Sequence, residues 1–486
     1  MPLILGTNSI KDTGYNVDNS CRFNDGDGAY MHKSPGSSGN QRKFTFSTWF
    51  KIGNSTANLT LFATGADGSN RFWIMRHNES SNNSQIKIDA KTSDSQTIEL
   101  RTNASFRDST AWMHLVVAVD TEQGTAANRV KVYINGTQIT SFNQSTYPAE
   151  DHDTEVNKAA EHRIGRYNAG TNYFDGYLAE TVFIDGTQYA ASDFGEFDED
   201  SPRIWKPKDV SGLTFGSNGF YLDYKDSSNL GNDANGGTDL TEVNLAATDQ
   251  SIDTCTNNFA TMNSLANKVS GVGFSEGNLN IAMTNNKGGS TSTFGLTTGK
   301  WYVEMNITTQ PADERFHLGI NPFEIQEQDD HNSTLNQGIG LSGFNAVIYA
   351  DSGSGAAVLN NFFGNNTTRF DSFTGIIGMA LDITDGTIAF SKAGAWVTGS
   401  GTTDTDFSNA LKVDISTALA RHDVWHITCG SGNSSGTTGV FSMNFGSPSF
   451  AISSGNADGN GYGNFEYAVP SGYFSLCTKN LAEYGG

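Results

Sequence analysis

Residues 378–396 read GMALDITDGTIAFSKAGAW and place two turn signals between short apolar segments. The Asp385–Gly386 pair allows a tight hairpin, because glycine adopts the positive φ that such a turn requires. Lys392–Ala393–Gly394 allows a second hairpin. Between the turns, Ile388 and Phe390 share one face of a predicted strand and their neighbours take the other face. This stretch predicts paired strands with an apolar face that a second sheet must cover.

The alternation of polar and apolar residues recurs along the whole chain. Trp301, Val303 and Met305 form an apolar stripe that suits the second sheet. Val130–Ile139 reads VKVYINGTQI, with an Asn-Gly pair where a two-residue hairpin needs positive φ. Helical signals are few, and only Asn409–Ala420 is expected to hold a turn or two. The pattern predicts an all-β protein built from β-sandwiches of the jelly-roll kind.

Charge and composition exclude several classes of protein. The 486 residues include 30 Lys plus Arg and 52 Asp plus Glu, a formal net charge of −22. A nucleic-acid binder needs a basic surface, and an anionic membrane would repel this chain, so neither partner is expected. The apolar runs fall far short of the roughly 20 residues of a membrane-spanning helix, so we expect no membrane insertion. The 54 aromatic residues argue against general disorder.

The cysteines and the first residues bear on where the protein is made. Cys21, Cys255, Cys429 and Cys477 lie far apart and form no CxxC pair, so we interpret them as buried thiols in a chain made in a reducing cytoplasm. The N-terminal sequence has no basic segment followed by a long apolar core, and we therefore expect no secretory signal.

A change in composition near the middle of the chain predicts two domains. The acidic run EFDED at Glu196–Asp200 precedes a segment rich in Gly, Asn and Asp. We therefore predict a first sandwich over residues 1–200, a connector with a few short strands over 201–262, and a second sandwich over 263–486. Each flanking block is long enough to bury a core of its own.

The first block resembles a laminin-G-like, concanavalin A-type jelly roll as found in phage tail-fibre and virion proteins. The stretches that carry the resemblance are RKFTFSTWFK (42–51), WMHLVVAVD (112–120) and, most specifically, RIGRYNAGTNYFDGYLAETVFIDG (163–186). The connector segment GSNGFYLDYKDSSNLGNDANGG (216–237) is similar to the run that follows such domains in marine phage proteins.

The second block resembles a SPRY-like sandwich. The matching stretches are GKWYVEM (299–305), FHLGI (316–320), the 378–396 segment quoted above and FSMNFGSPSF (441–450). The near-terminal VPSGYFSLCTKNL (469–481) is similar to the closing strand of the corresponding phage module.

Together the two resemblances imply a non-enzymatic virion structural protein of a double-stranded DNA phage. A tail fibre or appendage that presents lectin-like domains to host-surface glycans is the role they favour, with avidity supplied by several copies. The expected partners are other virion proteins, further copies of the chain in a homotrimer, and a host cell-surface glycan. The expected location is the tail or another external appendage of the virion. The alternatives are a head fibre, a capsid decoration or baseplate protein and, less favoured, a glycan depolymerase.

Paired carboxylates are the residues that a depolymerase would require. Glu196, Asp198 and Asp200 are spaced so that a strand would place all three on one face. The Gly, Ser and Pro residues around them indicate a solvated loop, where carboxyl groups keep ordinary pKa values. We therefore predict no catalytic residues.

Metal sites have weak support in the sequence. His422 and His426 are four apart, which permits metal ligation, but we assign them to a sandwich-edge strand over Trp425–Cys429. The turns Asn24–Gly28 and Asn232–Gly237 offer oxygen ligands for a structural calcium ion, although Asp and Asn in such turns usually serve the backbone through Asx hydrogen bonds. No cofactor and no metal site is assigned.

Exposed aromatic rings are the residues that would stack on a sugar. Trp73, Tyr167, Tyr173 and Tyr349 lie in or near turn-rich stretches, and either ligand stacking or core packing explains them. The identity of the ligand-binding residues stays open at this point.

Overall fold

The computed structural model describes residues 14–53, 57–78, 84–266, 271–283, 288–310, 316–322, 339–342, 347–351, 356–361, 370, 373–431 and 438–485. These residues form two compact units. The N-terminal unit contains the described residues up to Asn258 together with Ser275–Gly277, and the C-terminal unit contains those of Phe259–Phe274 and from Asn278 onward.

Short antiparallel strands make up the N-terminal unit, with one helical turn, α1 (Ala126–Arg129). The strands are β1 (Ser20–Phe23), β2 (Tyr30–Lys33), β3 (Lys43–Ile52), β4 (Leu59–Gly65), β5 (Arg71–His77), β6 (Gln85–Thr92), β7 (Ser95–Thr102), β8 (Met113–Asp120), β9 (Val130–Ile134), β10 (Thr137–Ile139), β11 (Phe142–Thr146), β12 (His162–Ile164), β13 (Gly176–Asp185), β14 (Gly195–Phe197), β15 (Trp205–Pro207), β16 (Phe220–Leu222), β17 (Thr241–Val243) and β18 (Gln250–Ser251).

Two sheets of the N-terminal unit face each other across a common core. Sheet A has the order β10-β9-β8-β3-β13-β1-β18, with β16 also paired to β13, and sheet B has the order β11-β7-β6-β5-β4-β12-β2-β17. Alternate residues of both sheets, such as Phe46 and Phe62 with ring centroids 5.1 Å apart, fill the space between them. The result is the predicted β-sandwich.

The outer face of sheet A is also apolar, and the chain after β13 covers it. Trp205 of β15 packs against this face together with Phe194 and Phe215. Its indole Nε1 donates a hydrogen bond to His114 Nδ1 at 3.0 Å. The other ring nitrogen of His114 lies 2.9 Å from Ser47 Oγ, and burial lowers the pKa of His114 to about 3. The histidine is therefore a neutral, buried anchor for the covering segment.

Residues 201–262 were predicted to be a connector, but in the structure most of them belong to the N-terminal unit. Its short strands complete the N-terminal sandwich, since β16 pairs with β13, β17 with β2 and β18 with β1. The boundary between the compact units lies at Asn258 instead of near residue 200. The physical reason is that sheet A exposes an apolar outer face and unpaired edges unless this segment covers and extends them.

The C-terminal unit is built from the strands that follow residue 259, with two short helices, α2 (Ser416–Leu419) and α3 (Thr478–Tyr484). Its strands are β19 (Val272–Ser275), β20 (Asn280–Met283), β21 (Gly288–Leu296), β22 (Lys300–Thr309), β23 (Phe316–Pro322), β24 (Ile339–Ser342), β25 (Val347–Asp351), β26 (Ala356–Asn361), β27 (Gly375–Asp382), β28 (Thr387–Lys392), β29 (Ala395–Val397), β30 (Thr403–Asp404), β31 (Val413–Asp414), β32 (Trp425–Ser431) and β33 (Gly439–Asn444).

These strands form a second sandwich. Sheet C has the order β19-β20-β33-β22-β27-β28-β29-β30, with β31 paired to β28, and sheet D has the order β21-β32-β23-β24-β25-β26. Trp301, Val303 and Met305 of β22 lie in its core as predicted, but β22 pairs with β27 within sheet C, so the expectation that the stripe belongs to the covering sheet is wrong. The two predicted hairpins join β27, β28 and β29, with positive φ at Gly386 and Gly394. The all-β prediction is confirmed.

Candidate functional site

The outer face of sheet B carries one continuous row of side chains across six strands. The residues that lie directly opposite one another, from β7 to β2, are Glu99, Asp89, Trp73, Ala63, Arg163 and His32. Residues on either side of Trp73, Phe72 and Ile74, belong to the core, so the row faces away from it. We call these six residues the Trp73 row.

At the middle of the Trp73 row, the rings of Trp73 and Tyr167 lie in contact. We call this pair of rings the aromatic step. Trp73 is only 6% exposed because Tyr167 meets its ring edge to face, with centroids 6.4 Å apart and an interplanar angle of 87°. The Lys87 ammonium lies 5.1 Å from the centre of the Trp73 ring. The next residue in the row is Ala63, which is 1% exposed between Trp73 and Arg163. A half-buried tyrosine ring thus packs over a layer of small and aromatic side chains.

The loop between β12 and β13 positions the exposed part of this site. The Tyr167 amide donates to Thr171 O at 3.1 Å, and the Gly170 amide donates back to Tyr167 O at 3.1 Å. Positive φ at Gly170 closes the turn, and Asn168 Nδ2 ties the loop to Asp67 O at 2.8 Å. This loop belongs to the 163–186 stretch, which is the most specific motif in the sequence.

Two further tyrosines border the same face. The ring of Tyr30 on β2 lies 6.4 Å from the ring of Tyr173, and the Arg166 guanidinium lies 3.8 Å from the centre of Tyr30. Of the aromatic residues singled out in the sequence, the structure thus brings Trp73 and Tyr167 into contact and sets Tyr173 nearby. Tyr349 lies on β25, and its side chain is outside the described residues.

No sequence pattern singled out Tyr30 or Arg166 as site residues, although Arg166 adjoins Tyr167. Their place on the face depends on the pairing of β12 with β2, which joins residues that are about 130 positions apart. Only the register of the folded sheet makes them neighbours.

Ion pairs flank the aromatic step on its β6 side. Asp89 accepts from Arg71 Nη2 at 2.9 Å and lies 3.4 Å from Lys87 Nζ, while Glu99 lies 3.2 Å from Lys87 Nζ and 3.4 Å from Arg101 Nη2. Each of these two carboxylates therefore forms ion pairs with two basic side chains.

On the β12 side, two arginines and a histidine lie around one carboxylate. Glu161 lies 2.5 Å from Arg163 Nε, 3.7 Å from Arg166 Nη2 and 3.6 Å from His32 Nδ1. The Arg166 side chain is 17% exposed, and its guanidinium group lies over the Tyr30 ring. This end of the Trp73 row is therefore positively charged within a strongly acidic chain.

The acidic run EFDED has a structural role. Asp198 accepts hydrogen bonds from the backbone amides of Asp200 and Ser201 at 3.0 and 2.8 Å, and these bonds hold the pKa of its carboxyl group below the ordinary value. Glu196 and Asp198 lie 3.6 and 3.4 Å from Lys206 Nζ. A general acid needs a raised pKa, so the Asp198 carboxyl group lacks the property that a hydrolase would require of it.

An open pocket of about 330 Å³ lies beside the same turn. Tyr133, Trp205 and Phe197 form its apolar wall, and Phe197 is 44% exposed. Glu196 and Lys208 stand at its border, with Lys208 Nζ donating to Ser192 O at 3.2 Å. The lining residues of this pocket are distant in sequence from most of the Trp73 row.

One buried carboxyl group has a strongly raised pKa. Burial raises the pKa of Glu180 to about 7, although its carboxylate accepts hydrogen bonds from Tyr221 Oη at 2.8 Å and Tyr15 Oη at 3.3 Å. Glu180 sits at a bulge in β13 with φ of 47°. Its side chain is buried at 6% exposure, so it acts within the fold and is closed to a ligand.

The histidine pair does not form a metal site within the part of the chain that the structure describes. His426 is buried and its Nδ1 lies 2.8 Å from Ser292 O, while His422 packs edge to face on Trp425. The predicted edge position is wrong, because β32 lies between β21 and β23 in sheet D. An interior strand leaves His426 packed against a neighbouring backbone, out of reach of a shared ion.

The two Asp- and Asn-rich turns serve the backbone and neighbouring side chains. Asp233 Oδ1 accepts from the amides of Tyr221 at 2.9 Å and Asn235 at 3.1 Å, which is the Asx function of such turns. Asn24 Nδ2 donates to Asp27 at 2.9 Å and Glu276 at 3.0 Å. Among the described residues no group of three or more His, Cys, Asp or Glu is arranged to hold a metal ion.

Comparison with known families agrees with the first sandwich. Residues 24–191 match the profile of a laminin G family described as the concanavalin A-like lectin/glucanases superfamily. The match contains the whole Trp73 row and the Tyr167 loop. Among curated proteins no significant match was found.

Several solved structures are similar at low identity. Domains LG4-5 of the mouse laminin α1 chain are 9% identical, with 98% of this chain and 92% of that chain covered and a TM-score of 0.29. The SPRY domain of human HERC1 is 13% identical, with 34% and 87% covered and a TM-score of 0.23. Tailspike protein 2 of the Escherichia coli O157:H7 bacteriophage CAB120 is 14% identical, with 34% and 22% covered and a TM-score of 0.26. At these TM-scores the similarities carry no further argument.

No helix in the described part of the chain has both the length and the apolar character needed to cross a membrane.

Proposed function

We propose that this chain is a non-catalytic carbohydrate-binding protein, and that the outer face of sheet B is its glycan-binding surface. The observation that carries the proposal is the contact between Tyr167 and Trp73 beside the small Ala63. Sugar rings have an apolar C–H face that packs on aromatic rings and hydroxyl groups that need charged or polar partners. The Trp73 row supplies an aromatic wall with ion-paired side chains at both ends.

The surrounding ion pairs suit recognition better than turnover. Asp89, Glu99 and Glu161 each lie within 3.7 Å of at least two basic side chains, and these ion pairs place carboxylate oxygens along the row as acceptors for sugar hydroxyls. A retaining or inverting glycosidase instead needs one carboxyl group that keeps its proton. We therefore propose binding without hydrolysis.

The binding surface is tested by one pair of variants in the full-length protein. Tyr167→Ala removes the half-buried wall of the site, and Phe197→Ala removes an exposed aromatic ring at the other pocket of the same unit. On a glycan array, we expect Tyr167→Ala to lose the signals of the unsubstituted protein and Phe197→Ala to keep them. The reverse pattern would move the site to the Phe197 pocket, and loss in neither variant would refute both.

We further propose that the chain is a virion component, on a phage tail fibre or other appendage, acting as a homotrimer. The support is the sequence resemblance of both blocks to phage modules, together with the multivalency that weak glycan sites require. Gold-labelled antibodies against residues 263–486, viewed on intact particles, test the location. Label at the tail tip supports host attachment, label over the head supports a head-fibre or decoration role, and no label on any particle refutes the virion proposal. Light scattering of the purified protein tests the trimer.

A further inference from the structure

The charged ends of the Trp73 row differ from each other. On the β6 side, Asp89 and Glu99 are interleaved with Arg71, Lys87 and Arg101, so that carboxylates and cations alternate. On the β12 side, the guanidinium groups of Arg163 and Arg166 share the single carboxylate of Glu161, and His32 lies against the same carboxylate. Each end therefore has one more Lys or Arg side chain than carboxylates, and the β12 end differs in that two guanidinium groups depend on a single carboxylate.

Arg163 and Arg166 lie at different distances from the Glu161 carboxylate. The 2.5 Å contact with Arg163 Nε is a close ion pair, whereas the 3.7 Å separation from Arg166 Nη2 is longer than a hydrogen bond. The charge of Arg166 is consequently compensated only at a distance. Within the described residues, the other partner of its guanidinium group is the ring face of Tyr30 at 3.8 Å.

This stacking has a chemical consequence. A guanidinium group that lies flat on an aromatic ring keeps its N–H donors in the plane of the group, where they point past the ring edge. The stack also holds the side chain in one orientation, so little conformational entropy is lost when a ligand binds. Planar, preorganised N–H donors match the two oxygens of a carboxylate or of a sulfate ester.

Arg166 is adjacent in the chain to the aromatic step formed by Tyr167 and Trp73. Arg166 directly precedes Tyr167, whose ring leans on Trp73, and Arg163 directly follows Ala63 in the row. A sugar ring against Tyr167 would therefore carry its substituents toward the two arginines. We infer that the glycan bound at this face is acidic, with a carboxylate or sulfate group held by Arg166 and assisted by Arg163. This inference rests on the proposed glycan binding and specifies its substrate class.

Matched polymers test the charge requirement with the full-length protein. Polygalacturonate and its methyl ester share one backbone and differ in the carboxylate, and dextran sulfate and dextran differ in the sulfate. Binding is measured by biolayer interferometry in about 0.1 M salt, where a Debye length of about 10 Å screens the remote acidic surface. We expect retention of polygalacturonate or dextran sulfate at least tenfold above that of the uncharged counterpart, and the polymer retained tells carboxylate from sulfate.

Variants connect the selectivity to the arginine. Arg166→Gln should weaken binding of the acidic polymer about tenfold and so reduce its preference over the neutral polymer. Arg166→Lys keeps the charge without the planar donors and should fall between the two. Arg42→Gln is the control, since Arg42 pairs with Asp151 and Asp153 away from this face.

The outcomes of these experiments distinguish failure of the acidic-ligand inference from failure of the proposed glycan binding. Equal binding of charged and neutral polymers that Tyr167→Ala abolishes would overturn the acidic ligand and retain glycan binding. Retention of neither acidic polymer would overturn the inference, because the cation excess should hold an acidic polymer of either chemistry. Equal competition by duplex DNA would also overturn it, because binding would then be a general affinity for polyanions.

Discussion

The ammonium group of Lys51 lies 2.7 Å from the carboxylate of Asp253, and both side chains are 1% exposed. The two residues are 202 positions apart in the sequence. Trp112 Nε1 donates to the second oxygen of Asp253 at 3.0 Å, and Lys51 Nζ also donates to Asn258 Oδ1 at 2.7 Å. This buried network joins the last residues of the N-terminal unit to the middle of sheet A.

Removing one member of the network should destabilise the N-terminal unit strongly. Lys51→Met leaves the Asp253 carboxylate buried without its cation, which costs about 3–5 kcal/mol of unfolding free energy. Arg42→Met is the control, because its ion pairs are exposed and contribute about 0–1 kcal/mol. Urea unfolding followed by near-UV circular dichroism measures both. A loss for Lys51→Met no greater than the control would contradict this account of the network.

The space between Gly195 and the Trp205 ring should not accommodate an added side-chain carbon. A Cβ on Gly195 would lie 2.6 Å from the Trp205 ring, although the backbone there is not in the left-handed region. We expect Gly195→Ala to lower the free energy of unfolding by about 1–3 kcal/mol through overpacking. The matched control is Gly124→Ala, where an added Cβ meets no atom within 4 Å. Thermal melts of the two variants should therefore diverge, and coincident melts would mean that Trp205 moves aside at little cost.

The buried carboxyl group of Glu180 should make stability fall as the pH rises. Its pKa is about 7 in the folded chain against an ordinary value of 4.5, so the folded state holds the extra proton between these pH values. Unfolding free energy therefore decreases from about pH 4.5 to 7 and then levels off. Glu180→Gln removes this loss and should be more stable than the unsubstituted protein by about 3 kcal/mol above pH 7. A stability difference that does not change with pH would show that Glu180 titrates normally.

His114 should act in the opposite direction. Burial lowers its pKa to about 3 from an ordinary value of 6.5, so the unfolded chain binds the extra proton in this range. Stability contributed by the neutral ring is complete above about pH 6.5 and is lost as the pH falls toward 3. Chemical unfolding of His114→Gln at pH 7.5 and pH 5 should show a smaller drop than the unsubstituted protein shows. An equal drop would assign the acid sensitivity to other groups, such as the buried His162, whose pKa is lowered to about 4.

The parts of the fold that the sequence predicted are those determined by residues close together in the chain. The hairpin between β9 and β10 forms because Asn135 and Gly136 adopt φ of 45° and 76°, and such preferences belong to the two residues themselves. The stripe of Trp301, Val303 and Met305 is buried because alternation alone decides which side of a strand faces the core.

The parts that the sequence did not predict depend on distant pairing. Strands β16, β17 and β18 are two or three residues long, too short to show a periodicity, and their partners precede them by some 40 to 230 residues. For this reason the sequence favoured a connector. In the candidate site, Trp73 and Tyr167 were recognisable as aromatic residues near turns. Arg163 and Arg166 gained significance only when the register placed them beside Ala63 and Tyr30.

All four cysteines of the chain are buried and carry free thiols. A buried thiol in apolar surroundings reacts slowly, since burial raises the pKa of groups such as Cys429 and suppresses the thiolate. A single cysteine introduced at an exposed position would therefore be the first to react with a maleimide reagent. Placed at Gly124 or at Asn128, it would give a fluorescent dye or a sensor surface one defined point of attachment in every molecule.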